Sequence, residues 1–249
     1  MIAPPRASGV VLIGYGPSLN RIEPRCLRGV DTIAFNRSFL AWPAWDFAPT
    51  HHACLDPKSI AIIRSELPAI IRQYPRTHFF LHADAAKAGI EPSDHVMLID
   101  VSPDAPFAGS WERLADLGNV GAISLQVLAL LGYRRVLMVG VDGVYVSDRD
   151  DDPNHFRPDY ARGRVPLTDA DRIRYTAGWP AAARECRRLA IDVRNASEGT
   201  ALTCFATIDF LAGLDWLMAD ATPRKRASVR HFAYPRTWWT PRPPNGSWS

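Results

Sequence analysis

The chain has few cysteines, and none of them lies in a pattern that would hold a metal. The four cysteines contain no CxxC pair, and no histidines follow them at zinc-finger spacing. We therefore predict reduced thiols and a cytoplasmic protein, since disulfide frameworks belong to oxidising compartments. The cysteines are Cys26, Cys54, Cys186 and Cys204.

Long apolar runs and strong net charge are also missing. No stretch reaches the ~18 consecutive apolar residues of a membrane-spanning helix, and the opening MIAPPRASG lacks the apolar segment of a signal peptide. The net charge of +3 over 249 residues is modest. Nucleic-acid binders carry a clustered basic face, so we do not expect nucleic acid as a partner.

Short apolar runs that alternate with helical patterns occupy residues 9–220. This alternation predicts an α/β fold, a Rossmann-like and mostly parallel sheet with helices on both faces of a single domain. The predicted strands are 10–13, 30–35, 50–55, 77–82, 95–100, 135–141 and a further strand in AIDVRNAS. The predicted helices are 56–74 with a kink or break at Pro68, 119–133, 168–189 and a segment within 202–218.

The two ends of the chain differ in composition from this domain. Residues 1–8 form a short N-terminal extension, and residues 221–249 form a basic, aromatic and proline-rich tail. Basic residues mixed with aromatics suit peripheral docking on an anionic membrane surface. The alternative is a loosely packed tail, because its prolines break any long amphipathic helix.

Small, polar or acidic residues follow the predicted strands one after another. In parallel sheets, ligands bind at the carboxyl ends of the strands, so the set favours a cleft there. These residues are Gly14, Gly16, Ser18, Asn36, Asp56, His82, Asp100 and Asp142.

The GYGPS segment at residues 14–18 has two interpretations. It is neither a phosphate-binding P-loop nor a dinucleotide fingerprint, whose third glycine would fall at Leu19. A plain tight turn is one interpretation. The other is a phosphate site, in which glycines allow close approach and Ser18 donates to an anion near a helix start.

Two later segments carry further candidates. A helix that is apolar on nearly all sides opens with Asn119 and Gly121, and the strand after it ends at Asp142. Residues 148–160 read DRDDDPNHFRPDY, whose acids formally match a metal-binding DxD but not an EF-hand. In that segment His155 has polar surroundings and suits proton transfer, with a structural histidine as the alternative.

The order of these motifs resembles two related families. A strand into GxGPSL, a strand ending in asparagine, Asp56-Pro57 and LGYxx(apolar)₃GxD are similar to the bacterial sialyltransferases of glycosyltransferase family 42. DPNHFRPDYARGR and RNASEGTAL strengthen a resemblance to the 6-hydroxymethylpterin diphosphokinase MptE-like family, which includes flagellin-modifying and lipopolysaccharide-associated proteins. The likeness covers roughly residues 9–212.

This resemblance implies a transferase that moves a sugar, such as sialic acid or a related nonulosonic acid, from a CMP-sugar or other nucleotide sugar to a surface glycan acceptor. It implies His155 as the general base and no metal or other cofactor for the chemistry. The implied donor contacts are Gly14, Gly16, Ser18, Asn36, Asp56, Asn119, Gly121, Asp142 and Tyr160.

Two other functions stay open at this point. A pterin diphosphokinase would use ATP and a divalent cation held by Asp100, Asp142 and the acids of 148–152. A degenerate transferase fold would bind a nucleotide or glycan without turnover. Tyr15 and Asn119 favour the latter, because the sialyltransferases carry asparagine and a hydroxyl residue at those places.

Overall fold

The computed structural model describes residues 9–145, 152–161 and 168–219, which build a single sheet. Its strands are β1 (Gly9–Ile13), β2 (Thr32–Phe35), β3 (His51–Cys54), β4 (His78–His82), β5 (Val96–Ser102), β6 (Arg113–Ala115), β7 (Arg135–Val139), β8 (Asp192–Asn195) and β9 (Ala206–Thr207). Their order is β6-β5-β4-β3-β2-β1-β7-β8-β9, and every neighbouring pair is parallel. The predicted parallel α/β sheet is confirmed.

The chain reverses its direction of travel across the sheet between β1 and β7. From β1 it proceeds outwards to β6 and then returns to pair β7 with the other side of β1. Such a switch point leaves a crevice at the carboxyl ends of the two strands, where α/β proteins bind ligands. The GYGPS segment leaves β1 at this crevice, and Asp142 follows β7 there.

Within the described residues, six α-helices accompany the strands. They are α1 (Trp42–Trp45), α2 (Pro57–Ile63), α3 (Leu67–Gln73), α4 (Val120–Leu131), α5 (Asp169–Arg188) and α6 (Phe210–Met218). Four 3₁₀ turns add to them, at Pro17–Arg21, Pro24–Leu27, Asn36–Leu40 and Ala83–Ala88.

Strand residues alternate between two apolar layers, as the pleat of a sheet requires. Val10 and Leu12 of β1 pack with α4 and α5 in one layer. Val11 and Ile13 pack with Leu214 of α6 on the opposite face. Farther along that opposite face, β3 and β4 pack against α2 and α3. Helices therefore cover both faces, as predicted.

Helix boundaries follow local chemistry. Pro68 lies in the first turn of α3, so the proline splits the predicted 56–74 helix into α2 and α3. Gly132 adopts a left-handed conformation with φ 91° and ends α4. Thr168 and Asp171 form a reciprocal capping box that starts α5. That helix continues through Pro180 without a break, although the sequence indicated an interruption there.

Two short strands at the sheet edges escape sequence analysis. β6 lies inside the predicted loop after residue 100, and β9 lies inside the predicted helical segment 202–218, which becomes helical only at Phe210. β5 also runs two residues beyond its predicted end, so Asp100 lies within the strand beside β6 and not at a strand terminus. The prediction that Asp100 lines the carboxyl-end cleft was wrong for this reason.

The predicted extension 1–8 and tail 221–249 lie outside the described residues. Among the helices that the structure does describe, none is both long and apolar enough to cross a bilayer.

Candidate functional site

A small cavity lies at the carboxyl ends of β1 and β7, at the switch point. Its volume is about 30 Å³, close to the space that one water molecule occupies. Four of the predicted site residues line it: Gly14, Gly16, Asn119 and Asp142. The remaining wall includes Tyr15, Phe35, Tyr145, Asn154 and Trp179. The fold thus brings residues from six separate segments to one place.

Gly14 and Gly16 allow the backbone that follows β1 to approach the carboxyl end of β7 closely. The Gly14 N–H donates to Val139 O at 2.7 Å, and the Gly16 N–H donates to Gly140 O at 2.8 Å. A β-carbon at Gly14 would lie 2.2 Å from the carbonyl oxygen of Gly140. Packing against the end of β7 therefore accounts for both glycines, and their contact with a donor phosphate stays a prediction.

Ser18 and Asp142 bind each other across the site. The Ser18 N–H donates to Asp142 Oδ2 at 3.0 Å, and the Ser18 hydroxyl donates to Asp142 Oδ1. Ser18 is the second residue of the turn Pro17–Arg21, so the carboxylate takes the position that an anion would take near the start of this turn. An Asp142 carboxylate and a phosphate would compete for the same donors.

The loop after β8 fixes the chain around Asp142. Ser197 Oγ accepts from the Val141 N–H at 2.7 Å, and Asn195 Nδ2 donates to Val141 O at 3.0 Å. The Ala201 N–H donates to Asp142 O at 2.7 Å. Asn195 and Ser197 are almost fully buried. The RNASEGTAL segment therefore positions the acid that holds Ser18, a function that its sequence did not indicate.

Asn119 and Gly121 shape the start of α4. Asn119 is the N-cap, and its Oδ1 accepts from the Ala122 N–H at 2.7 Å. Its Nδ2 donates to Tyr175 O at 2.8 Å. A β-carbon at Gly121 would lie 2.5 Å from the indole of Trp179. Gly121 thus makes room for the tryptophan that walls the cavity.

His155 lies in an aromatic stack beside the cavity. Its Nδ1 is 2.6 Å from Asp152 Oδ1, and both side chains are only 8% exposed. The imidazole stacks on Tyr160 with ring centroids 4.3 Å apart, and Tyr15 lies 5.2 Å from it. Asp152 also accepts from the Ala161 N–H at 3.1 Å, which holds the carboxylate in place. Such a carboxylate fixes the tautomer of the imidazole and stabilises its protonated form.

Tyr160 of this stack also contacts Arg37, the residue that follows Asn36 in the chain. Tyr160 is fully buried, its hydroxyl accepts from the Arg37 N–H at 3.3 Å, and its carbonyl accepts from the Arg37 guanidinium. Asn36 follows β2 with a positive φ of 52°, and its carbonyl accepts from His52 Nε2 at 2.8 Å. Asn36 Oδ1 is buried and has no hydrogen-bond partner within the described part of the chain. The Asn36 side chain does not line the cavity, so its predicted donor contact stays a prediction.

Asp56 is separate from this cluster and caps a helix. Its carboxylate accepts from the Lys58 and Ser59 N–H groups at 3.1 and 3.2 Å and from the Ser59 hydroxyl at 2.8 Å. The N-cap predicted at Asp56 is therefore confirmed. Its predicted donor contact stays a prediction, and the cavity lining does not include this residue.

Several residues that line the cavity have no distinguishing pattern in the sequence, among them Trp179, Tyr145 and Asn154. Trp179 Nε1 donates to the Tyr145 hydroxyl at 3.4 Å, and burial raises the pKa of Tyr145 well above its usual range. Asn154 completes the wall next to His155. Asp152 carried a sequence signal, an acid three residues before the histidine, but in the sequence it stood out only as part of a formal DxD match.

A metal centre finds no support in the described residues. Within 9–145, 152–161 and 168–219, no group of three His, Cys, Asp or Glu side chains is placed to hold an ion. Asp142 and Asp152 each bind protein donors instead. The other predicted acidic ligands, Asp148, Asp150 and Asp151, lie outside the described residues.

The fold and this crevice define a Rossmann-like α/β protein. No protein-family model and no curated protein sequence matches the chain. Among solved structures, the chain is similar to the MAf glycosyltransferase from Magnetospirillum magneticum AMB-1, with a TM-score of 0.54 at 16% identity over 83% of this chain. The chain spans 34% of the length of that glycosyltransferase.

Two weaker likenesses are to sialyltransferases of Campylobacter jejuni. The monofunctional α-2,3-sialyltransferase Cst-I gives a TM-score of 0.48 at 12% identity, over 83% of this chain and 82% of that one. An α-2,3-sialyltransferase in apo form gives 0.45 at 9% identity, over 82% and 81% of the two chains. The likeness to the MAf glycosyltransferase confirms the glycosyltransferase-like fold expected from the sequence, whereas the link to the MptE-like family stays a prediction.

Proposed function

We propose that this chain is a glycosyltransferase that moves a sugar from a nucleotide sugar to the hydroxyl of a glycan acceptor. One observation carries the proposal: the Asp152–His155 pair lies beside the cavity in which four predicted donor-contact residues meet. The likeness of the fold to the MAf glycosyltransferase agrees with it. A CMP-sugar of sialic acid or a related nonulosonic acid is the proposed donor.

The donor would bind in the crevice between the ends of β1 and β7. Its proposed contacts are Gly14, Gly16, Ser18, Asn36, Asp56, Asn119, Gly121, Asp142 and Tyr160. Gly14, Gly16, Asn119 and Asp142, which line the cavity, support this placement most directly, whereas Ser18 and Asn36 lie outside its lining. Because the cavity measures only about 30 Å³, residues around it must move apart to admit a nucleotide sugar.

His155 is the proposed general base. With Nδ1 donating to Asp152, the neutral imidazole accepts a proton at Nε2. The acceptor hydroxyl gives that proton to Nε2 as its oxygen bonds to the anomeric carbon of the donor sugar. The bond from that carbon to the phosphate oxygen breaks, and the phosphate leaves with the electron pair. Asp152 then stabilises the imidazolium, as in other His–carboxylate pairs.

The proposed transfer is metal-independent. The departing phosphate would be stabilised by hydrogen-bond donors of the protein, among them Ser18 and the hydroxyl of Tyr160. In this structure the Tyr160 hydroxyl faces the Arg37 backbone, so the tyrosine must turn towards the donor when it binds. We place the reaction in surface-glycan assembly on the cytoplasmic side of a membrane.

A binding screen followed by a turnover assay tests the function. Thermal shift with CMP, CDP, UDP, GDP and ATP, each with and without Mg²⁺, identifies the nucleotide. We expect stabilisation by CMP without metal and release of CMP from a CMP-sugar when a glycan acceptor is added. Stabilisation by ATP only with Mg²⁺ would point to the diphosphokinase instead.

A protein that binds a nucleotide without turnover is the second candidate. The observation that favours it is the Asp142 carboxylate at Ser18, which fills the expected anion position. CMP binding with no CMP-sugar cleavage across a panel of acceptors would support this candidate and contradict the proposed transfer.

A further inference from the structure

A second and much larger cleft opens on the other side of Ser18. Its volume is about 910 Å³, in the upper part of the range of roughly 300–1,000 Å³ typical of small-molecule sites. It lies between the turn Pro17–Arg21, the loop after β8 and the start of α6. The RNASEGTAL segment supplies much of its wall, and of the proposed donor contacts only Ser18 lines it.

The wall of the cleft is rich in uncharged polar groups. Hydroxyls come from Ser18, Ser197, Thr200 and Thr207, and amides come from Asn20 and Asn195. Ser18, Ser197, Thr200 and Asn195 already make hydrogen bonds within the protein. The groups most open to a ligand are the exposed side chains of Asn20 and Thr207, an amide and a hydroxyl that both donate and accept hydrogen bonds. Sugar hydroxyls have this property, whereas a phosphate at neutral pH is mainly an acceptor.

Three groups in the cleft that would attract an anion already face a carboxylate. Arg21 pairs with Glu198 at 2.5 Å across the rim. Asp209 accepts from the first N–H groups of α6 at Leu211 and Ala212, at 2.9 and 3.1 Å. The Ser18 N–H is bound to Asp142. The cleft therefore disfavours a nucleotide's phosphates and favours a neutral ligand.

One part of the wall is apolar. Ile208 and Phe210 line the cleft and are half-buried, so each still presents part of its side chain to it. A sugar ring has an apolar C–H face as well as polar edges, and an aromatic ring packs against such a face. An apolar patch within a polar lining thus fits a carbohydrate better than an ion or a purely apolar molecule.

The cleft adjoins the chain segment that carries the proposed base, although His155 itself does not line it. Asn20 Nδ2 donates to Phe156 O at 2.8 Å, directly after His155 in the chain. The Phe156 N–H in turn donates to Tyr15 O at 2.7 Å, at the glycine loop. Ser18 lies between the cleft and the donor cavity, where its hydroxyl binds Asp142. A ligand in the cleft is therefore next to the segment that carries His155.

We infer that this cleft is the acceptor site and that it takes an uncharged glycan. The inference rests on the proposed function, since an acceptor presupposes a transfer. It assigns the donor and the acceptor to two separate sites on either side of the Ser18–Asp142 contact. It also predicts that the two ligands bind independently, so that a substitution can abolish the binding of one ligand and leave the binding of the other unchanged.

Thr207→Arg tests the site with a matched control. Thr207 lines the cleft from β9, whereas its exposed neighbour Ala206 is absent from the lining and points to the other face of the strand. The full chain, labelled with a fluorophore, would be applied to an array of neutral, sialylated and sulfated oligosaccharides. We expect binding to neutral glycans that falls at least tenfold in Thr207→Arg and is unchanged in Ala206→Arg.

Nucleotide stabilisation, measured on the same proteins, separates this inference from the proposed function. We expect the thermal shift with CMP to be equal in the wild type and both variants. Neutral-glycan binding that survives Thr207→Arg, binding restricted to charged glycans, or no glycan binding at all would overturn the acceptor site. Loss of the CMP shift in Thr207→Arg would also overturn it, because the cleft would then hold the donor. Absence of the CMP shift in every protein would contradict the proposed donor alone.

Discussion

Asp142 binds Ser18 through both carboxylate oxygens, although 124 residues separate them in the chain. The contact joins the ends of β1 and β7 and closes the crevice between them. It also fills the place at the 3₁₀ turn where an anionic ligand would accept the same two hydrogen bonds. The carboxylate is thus an internal competitor for a donor phosphate.

Asp142→Asn should therefore tighten nucleotide binding. The amide keeps the size of the side chain and an oxygen that Ser18 can bind, but it removes the negative charge that repels a phosphate. We expect the Kd for CMP, measured by titration calorimetry, to fall by about tenfold, or about 1.4 kcal/mol. Weaker binding would show instead that Asp142 contacts the nucleotide favourably.

Asp209→Asn serves as the control for this charge change. Asp209 is also an N-cap and lines the larger cleft, not the donor cavity. We expect its substitution to leave the Kd for CMP unchanged, so an equal gain in both variants would indicate a general charge effect.

The convergence of Gly14, Asn119 and Asp142 could be predicted from the sequence, but their contacts could not. Strong apolar runs predicted β1 and β7, and a parallel sheet brings strand ends to one edge. Which donor Asp142 binds depends on the precise approach of two distant segments. β6 and β9 were missed because strands of two or three residues at a sheet edge have no periodicity to detect.

His155→Ala should abolish turnover while nucleotide binding persists. A positioned general base contributes roughly 10²- to 10⁴-fold to rate, so we expect kcat to fall by about that factor. Asp152→Asn should reduce kcat by about tenfold or more and alter its pH profile, since it removes the carboxylate that orients the imidazole. CMP release from a CMP-sugar and thermal shift with CMP are the two readouts.

His95→Ala is a suitable control for the base. His95 precedes β5, at the opposite end of the strands from the cavity. We expect its turnover to match the wild type. A His155→Ala enzyme with wild-type turnover would rule out this histidine as the base.

Asp56→Ala distinguishes a helix cap from a ligand contact. The carboxylate accepts three hydrogen bonds at the start of α2, so its loss should lower the free energy of unfolding by about 1 kcal/mol. We expect the Kd for CMP to stay within about twofold of the wild type. A CMP affinity weakened by tenfold or more would instead support the contact between Asp56 and the donor that the sequence predicted.

Two buried histidines should make the fold sensitive to acid. Burial, with a smaller effect of neighbouring His78, lowers the pKa of His51 from 6.5 to about 3. Burial also lowers the pKa of His52 to about 4, although its hydrogen bond to the Asn36 carbonyl acts to raise it. The unfolded chain binds more protons below its pKa of 6.5, so stability is complete above that pH and falls as pH drops towards 4.

At about pH 5 each histidine should cost about 2 kcal/mol of unfolding free energy, from about 1.36 kcal/mol per pKa unit. Urea unfolding at a series of pH values measures this loss. His52→Gln should halve the slope, since one of the two titrating groups is gone. An unfolding free energy that does not change between about pH 7 and pH 5 would contradict the depressed pKa values.

Gly121→Ala should disturb the cavity wall through Trp179. The added methyl group would lie 2.5 Å from the indole, which is buried and cannot move freely. We expect the free energy of unfolding to fall by about 1–3 kcal/mol, as for other overpacked cores, with a change in tryptophan fluorescence. Because the clash involves the far edge of the indole, the smaller ring of Trp179→Phe should recover part of the loss in the double variant. Losses that simply add in a double-mutant cycle would show that Gly121 acts elsewhere than on Trp179.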